Sequence, residues 1–83
     1  MSMDVKQLPD DEQAAYLSIV DGCDVKIEGR KGYVIVQKSE DDRKFEVYNS
    51  KTQKTSASMK YPIDAFLLGC KIVGGFEKWA AID

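Results

Sequence analysis

The sequence contains no histidine, and its 83 residues include only two cysteines and two prolines. Without histidine, the chain lacks the side chain best suited to proton transfer near neutral pH, and Ser/His/Asp and Cys/His nucleophilic sites are excluded. Two cysteines are too few for a tetrahedral zinc site of the usual Cys/His type within one chain. No Walker-type glycine loop, G-x-G-x-x-G motif or calcium-loop pattern occurs either. These absences predict a protein that is not an enzyme and that holds no cofactor or metal.

The chain also lacks an apolar run near the ~18 residues that span a membrane, and residues 1–8 lack the apolar core of a signal peptide. This predicts a cytoplasmic protein in which Cys23 and Cys70 stay reduced as small apolar side chains, with a disulfide between them as the alternative. The length suits one domain, and a composition of 43% hydrophobic and 31% charged residues is typical of a folded chain. We therefore predict a single domain over residues 1–83, with residues 1–9 flexible.

The first predicted element is a helix over residues 10–22, with Asp11 to Asp21 as its body. Asp10 and Gln13 stand at capping-box spacing, and Gly22 follows the last periodic residue. The apolar residues of this segment form a broad stripe, which is typical of a helix that covers one face of a sheet.

From Asp24 to Tyr61 the hydrophobic period changes to two, which predicts a β-meander. The predicted strands are Val25–Ile27, Tyr33–Val36, Phe45–Asn49 and Thr55–Tyr61. Gly29 to Gly32 suits a short hairpin turn. Asn49 to Thr52 is predicted to form a turn in which the asparagine side chain makes a hydrogen bond to the backbone.

Two segments are predicted after the meander. Pro62 at a first helical position, Asp64 in the first turn and Gly69 at the end favour a short helix over residues 62–69. Gly74-Gly75 lies between two β-prone runs and is a recognised signal for a two-residue hairpin, so residues 70–82 are predicted to form a hairpin. The competing interpretation is a longer helix.

Together these elements predict an α+β protein: an N-terminal helix packed on a small antiparallel sheet, or on a partly closed SH3-like barrel, of about five to six strands, with the short helix before the C-terminal hairpin. The segment from Val25 to Val36 resembles the opening of an SH3-like or KOW-type barrel. The resemblance covers about fifteen residues and implies a shape without a function.

The net charge of −2 conceals two regions of opposite sign. Residues 1–24 hold six acids and one base, a net of −5, whereas residues 25–60 hold nine bases and five acids, a net of +4. The candidate basic surface comprises Arg30, Lys31, Lys44, Tyr48, Lys51 and Lys54. The candidate acidic surface comprises Asp10, Asp11, Glu12, Asp21 and Asp24. Helix starts are commonly acidic and strand edges commonly lysine-rich, which is the purely structural explanation of both surfaces. The acidic segment Glu40 to Asp42 is predicted to lie in a loop, where solvated charge is the simpler explanation.

A compact chain without catalytic machinery acts through the shape and charge of its surface. We therefore predict a non-enzymatic protein-binding module, a regulator, inhibitor or adaptor of the kind that phages and mobile elements encode, which uses a sheet face or edge with Trp79 or Tyr48 at the interface. The alternative is a small nucleic-acid-binding β-domain that uses the basic strands, although an isoelectric point near 5.1 disfavours it. The acidic and basic sides also allow the chain to form a homodimer.

Overall fold

The computed structural model describes residues 8–39 and 43–82, which form two helices and five strands. The elements are α1 (Asp10–Val20), β1 (Asp24–Gly29), β2 (Gly32–Lys38), β3 (Phe45–Asn49), β4 (Lys54–Thr55), α2 (Pro62–Ile72) and β5 (Lys78–Ile82). The α+β class is confirmed. Residues 1–7 and the acidic segment Glu40 to Asp42 lie outside the described residues, and with residues 1–7 lies most of the segment that was expected to be flexible. Leu8, the next residue, belongs to the buried core.

The strands form one antiparallel sheet in the order β4-β3-β2-β1-β5. After α2 the chain returns along the far side of β1, so β5 lies at the edge opposite β4. Because β4 and β5 are the two edges and do not pair with each other, the sheet is open and the partly closed barrel is not formed.

One face of the sheet carries the core. Val25 lies opposite Val36 and Ile27 opposite Val34, and all four side chains are fully buried. Branched side chains of this kind pack well on a pleated surface. Both helices cover this face, with α1 over β1 and β5 and α2 over β1, β2 and β3. Phe66 of α2 fills the space between the helices, with its ring 6.0 Å from that of Tyr16.

The start of α1 differs from the predicted capping box. Pro9 occupies the N-cap position and no side chain caps the helix; Gln13 instead donates from its side-chain amide to the carbonyl of Leu8, at 3.1 Å. The end of α1 follows the prediction, because Gly22 has a φ of 103° and closes the helix with Cys23. The amide of Gly22 donates to Ile19 and that of Cys23 to Ser18, which is the Schellman pattern.

The predicted hairpin over residues 70–82 is wrong, because α2 continues to Ile72. Gly74 and Gly75 end this helix: their amides donate to the carbonyls of Lys71 and Cys70, the same Schellman pattern that ends α1. Gly69, expected at the helix end, lies inside α2, where a Cβ would stand 3.1 Å from Val34. Glycine therefore allows α2 to lie close to the sheet, and only Lys78–Ile82 of the predicted hairpin is a strand.

The fourth predicted strand, Thr55 to Tyr61, forms only in part. Regular pairing with β3 covers β4 alone, and an isolated bridge joins Met59 to Phe45. Between them, the hydroxyl of Ser56 accepts the amide hydrogen of Val47 at 3.0 Å, in place of a backbone carbonyl. This side chain interrupts the regular ladder while keeping the backbone of β3 satisfied. The predicted turn after β3 is confirmed, since the side-chain oxygen of Asn49 accepts the amide of Lys51 at 2.9 Å.

Candidate functional site

The candidate site is the sheet face that the helices leave uncovered. Side chains alternate along each strand, so the residues between the buried valines point away from both helices. No described element lies across this face. The side chains that the strands place on it are Asp24, Lys26, Glu28, Tyr33, Ile35, Gln37, Glu46, Tyr48, Thr55, Lys78, Ala80 and Ile82. We refer to this set as the open face.

The centre of the open face is apolar and aromatic. Ile35 of β2 lies directly opposite Tyr48 of β3, and both are half-buried without belonging to the core. Tyr33, two residues along β2, is 37% exposed, and the ammonium group of Lys26 lies 4.6 Å from its ring centroid. An isoleucine between tyrosines on a helix-free face is typical of the centre of a protein interface, where aromatic residues are enriched.

Four of the five charged groups of the open face have a polar partner on the same face. Lys26 and Lys78 both approach Glu28, at 4.0 Å and 3.7 Å, and the side-chain amide of Gln37 donates to Glu46 at 3.1 Å. Two lysines stand against three acids on this face, so it carries no excess of positive charge. The open face therefore has an apolar centre within a polar rim and does not favour a phosphate backbone.

The predicted basic surface is divided by the fold. Arg30 and Lys31 form the turn between β1 and β2, and Lys51 and Lys54 lie at the adjacent turn between β3 and β4. Lys44 precedes β3 and therefore lies at the opposite end of the sheet, about 20 Å away by strand length. The structure thus brings four of the five predicted cations to one end and places Tyr48 on the open face.

A shallow depression of about 270 Å³ lies at this cationic end, lined by Arg30, Lys31 and Gly74. The amide of Lys31 donates to the carbonyl of Val73 at 2.9 Å, which holds the β1–β2 turn against the end of α2. A Cβ at Gly29 would overlap the carbonyl oxygen of Gly75, so the two segments meet backbone to backbone. Both cationic side chains are exposed.

The predicted acidic surface is also divided. Asp10, Asp11 and Glu12 form the first turn of α1, whereas Asp21 and Asp24 lie beyond its other end. A helix of this length spans about 16 Å, so the five acids do not share one compact surface. The acids at the start of α1 complement the helix dipole.

Cys23 and Cys70 are both half-buried and are not joined by a disulfide in the structure. Burial and, to a smaller extent, the nearby carboxylate of Glu12 raise the pKa of the Cys70 thiol to about 12. A thiol that keeps its proton at neutral pH is a poor nucleophile. Among the side chains in residues 8–39 and 43–82, no group of three cysteines and carboxylates is placed to hold a metal ion.

A second exposed feature is the edge formed by β5. The carbonyl of Glu28 accepts the amide of Glu77 at 2.9 Å, which shows that the even-numbered residues of β1 direct their backbone groups toward β5. By the alternation of an antiparallel ladder, Lys78, Ala80 and Ile82 point their backbone groups back to β1. The amides and carbonyls of Trp79 and Ala81 point outward, and no described residue bonds them.

Sequence reasoning singled out Tyr48 and Trp79 but missed Ile35, Tyr33 and Lys26. The alternation of β2 carries a signal for them, because Tyr33, Ile35 and Gln37 fall on the face opposite Val34 and Val36. Because Tyr33 to Val36 is apolar on both faces, the sequence predicted a central strand covered on one side by the helix but did not indicate which residues face away from it.

No protein-family model matches the chain, and comparison with curated proteins and with solved structures gives no match. Neither helix in the described part of the chain is long and apolar enough to cross a bilayer. The sheet order and the helix contacts define the fold as a two-layer α+β domain with both helices on one face of an open antiparallel sheet.

Proposed function

We propose that this chain is a non-enzymatic protein-binding module, a regulator, inhibitor or adaptor that docks its partner on the open face. The observation that carries the proposal is the pairing of Ile35 with Tyr48 at the centre of a face that neither helix covers. Covering these side chains removes apolar area from water, and the tyrosine hydroxyl gives the contact a polar end.

The rim supports the same proposal. Lys26, Glu28 and Lys78 hold one another in place before any partner arrives, and so do Gln37 and Glu46. Side chains that are already ordered lose less conformational freedom on binding. A partner surface with an apolar patch and a mixed-charge border fits this arrangement.

To test the proposal, the tagged full chain is used to capture partners from the cytoplasm of the source cell, with and without nuclease. Binding of the purified partner to the chain is then measured. We expect Ile35→Lys and Tyr48→Ala each to weaken binding at least about tenfold, as interface-centre residues do. Leu17→Lys is the matched control, because Leu17 is 50% exposed on the helix side. Circular dichroism and thermal unfolding verify that all three variants fold.

Two results would contradict the proposal. The first is that nuclease abolishes capture of every partner. The second is that the purified partner binds the wild-type chain and the two open-face variants equally but does not bind the Leu17→Lys variant. A partner lost only in the open-face variants supports it.

A nucleic-acid-binding function is the second candidate, and the cationic end is the observation that favours it. Arg30, Lys31, Lys51 and Lys54 lie at two adjacent turns at the same end of the sheet. This candidate requires affinity that falls steeply with salt, with log K decreasing by about 0.9 per phosphate contact for duplex DNA, and loss of binding in Lys51→Glu and Lys54→Glu. Retention of a labelled DNA or RNA duplex at low and high salt measures both.

A further inference from the structure

We infer that the edge of β5 pairs with the β5 edge of a second copy of this chain, so that two sheets join into one across a two-fold axis. The inference concerns the backbone edge of β5, a strand that also contributes Lys78, Ala80 and Ile82 to the open face, and it does not depend on the proposed function. It starts from the backbone groups of Trp79 and Ala81, which point outward from the sheet with no bond to any described residue.

The spacing of these groups selects one register. The two outward-pointing residues are separated by one residue, Ala80, so an antiparallel copy centred on Ala80 sets each Trp79 opposite Ala81 of the second copy. Every outward amide and carbonyl of both strands then has a partner. Ala80 faces its own symmetry mate in a non-hydrogen-bonded pair, where a small side chain permits close approach.

The side chains are complementary in the same register. On the helix side, Trp79 is half-buried against the core and Ala81 is exposed, so the large ring of each copy covers the small exposed residue of the other. On the open-face side, Ile82 is 36% exposed and lies opposite Lys78 of the second copy, whose aliphatic stem covers it.

Charge complementarity favours a second copy as the occupant. Asp24 neighbours Ile82 across the β1–β5 ladder and has no ion pair with a described residue. In the symmetric register, Lys78 of one copy stands two strand spacings, roughly 10 Å between Cα atoms, from Asp24 of the other. Lys78 lies 3.7 Å from Glu28 of its own chain, but its side chain is 73% exposed and, when extended, reaches Asp24 of the other copy; the axis creates the contact twice.

Lys78 is the one charged residue of β5, and the rest of this edge lacks the devices that natural proteins use to block pairing. Between Trp79 and Ile82, β5 has no proline, no charged residue and no bulge. Exposed edges without such features are templates for another strand.

The first test measures the mass of the purified full chain by sedimentation over a wide concentration range. We expect the 9.3 kDa chain to reach twice its mass with rising concentration. Ala81→Pro removes only the outward amide of β5 and should raise the dissociation constant at least about tenfold, because two symmetric hydrogen bonds are lost. Thr55→Pro is the matched control, since the amide of Thr55 points outward at the other edge, and it should leave the dimer intact.

The second test fixes the register. In a chain carrying Cys23→Ser and Cys70→Ser, Ala80→Cys should form a disulfide-linked dimer, because its symmetry mate lies within the Cα distance that a disulfide requires. Ala81→Cys faces a tryptophan and should crosslink far more slowly. A chain that stays monomeric at every concentration, a dimer that survives Ala81→Pro unchanged, or equal crosslinking of the two cysteine variants would overturn the inference.

Discussion

The two edges of the sheet differ in how they end. At the β4 edge, regular pairing lasts two residues, after which the hydroxyl of Ser56 replaces a backbone acceptor and Lys54 adds charge. At the β5 edge, five residues run in regular register against β1, and the last three are Ala80, Ala81 and Ile82. One edge is shortened by its own side chains, and the other keeps a straight row of unbonded backbone groups.

This difference shows how local residues control whether a sheet can extend. Serine satisfies a backbone donor without prolonging the strand, whereas alanine neither interrupts the ladder nor protects it. The contrast also separates two surfaces for contact, because the β5 edge offers backbone hydrogen bonds and the open face offers Ile35 and Tyr48.

The largest expected effect comes from proline within β5. Ala80→Pro removes a ladder bond between β5 and Lys26 of β1, and its ring collides with β1, so we expect a loss of about 3 kcal/mol in the free energy of unfolding. Ala81→Pro removes only an outward amide and should cost less than about 1 kcal/mol. Urea unfolding at low protein concentration measures both; equal losses would show that the two amides do not point in opposite directions.

The next effect concerns the junction that places β5 beside β1. A Cβ at Gly29 would overlap the carbonyl oxygen of Gly75 and lie 2.6 Å from that of Val73. Because backbone atoms cannot swing aside as a flexible side chain can, Gly29→Ala should lower the free energy of unfolding by about 2–3 kcal/mol. Thermal and urea unfolding measure the change, and an unchanged stability would refute this close approach.

A smaller effect is expected at the opposite edge. Ser56→Ala removes the oxygen that accepts the amide hydrogen of Val47, so that amide loses its partner. We expect a loss of about 1 kcal/mol and faster hydrogen exchange at the amide of Val47. Ser58→Ala, at an exposed position in the same segment, is the control and should leave both quantities unchanged.

The smallest effect expected at neutral pH is that of replacing Cys70. This residue lies near the end of α2, and its carbonyl accepts the amide of Gly75 in the segment that leads into β5. Burial raises the thiol pKa from 9.0 to about 12, so the folded chain keeps a proton that the unfolded chain releases. The resulting stability is present below pH 9.0 and is lost as the pH rises toward 12.

Urea unfolding between neutral pH and the alkaline range tests this dependence. Cys70→Ala should flatten the alkaline decline, whereas Cys23→Ser should retain it. Alkylation of Cys70 at mildly alkaline pH should be slower in the native chain than in the urea-unfolded chain by on the order of a hundredfold. Equal alkylation rates in the two states would show that Cys70 is not protected by the fold.

Local patterns were sufficient for much of the fold. The alternation in Val25–Ile27 and Tyr33–Val36 predicted the two central strands, and the carboxamide of Asn49 predicted the turn after β3. Each signal lies within a few residues and acts through backbone preferences that need no distant partner. The start of α1 at Asp10 was predicted correctly, but the capping box was not formed, because Pro9 occupies the N-cap position and has no side-chain acceptor.

The sequence by itself determined the α+β class, the first helix, the central strands and the absence of histidine chemistry, since all of these follow from composition and short-range periodicity. Only the tertiary structure decided the length of α2, the place of β5 and the identity of the open face. Gly74-Gly75 suits a hairpin turn and a helix end equally well, because both need a positive φ. Tertiary packing made the choice, because Val73, the residue that directly follows the longer helix, is buried in the core.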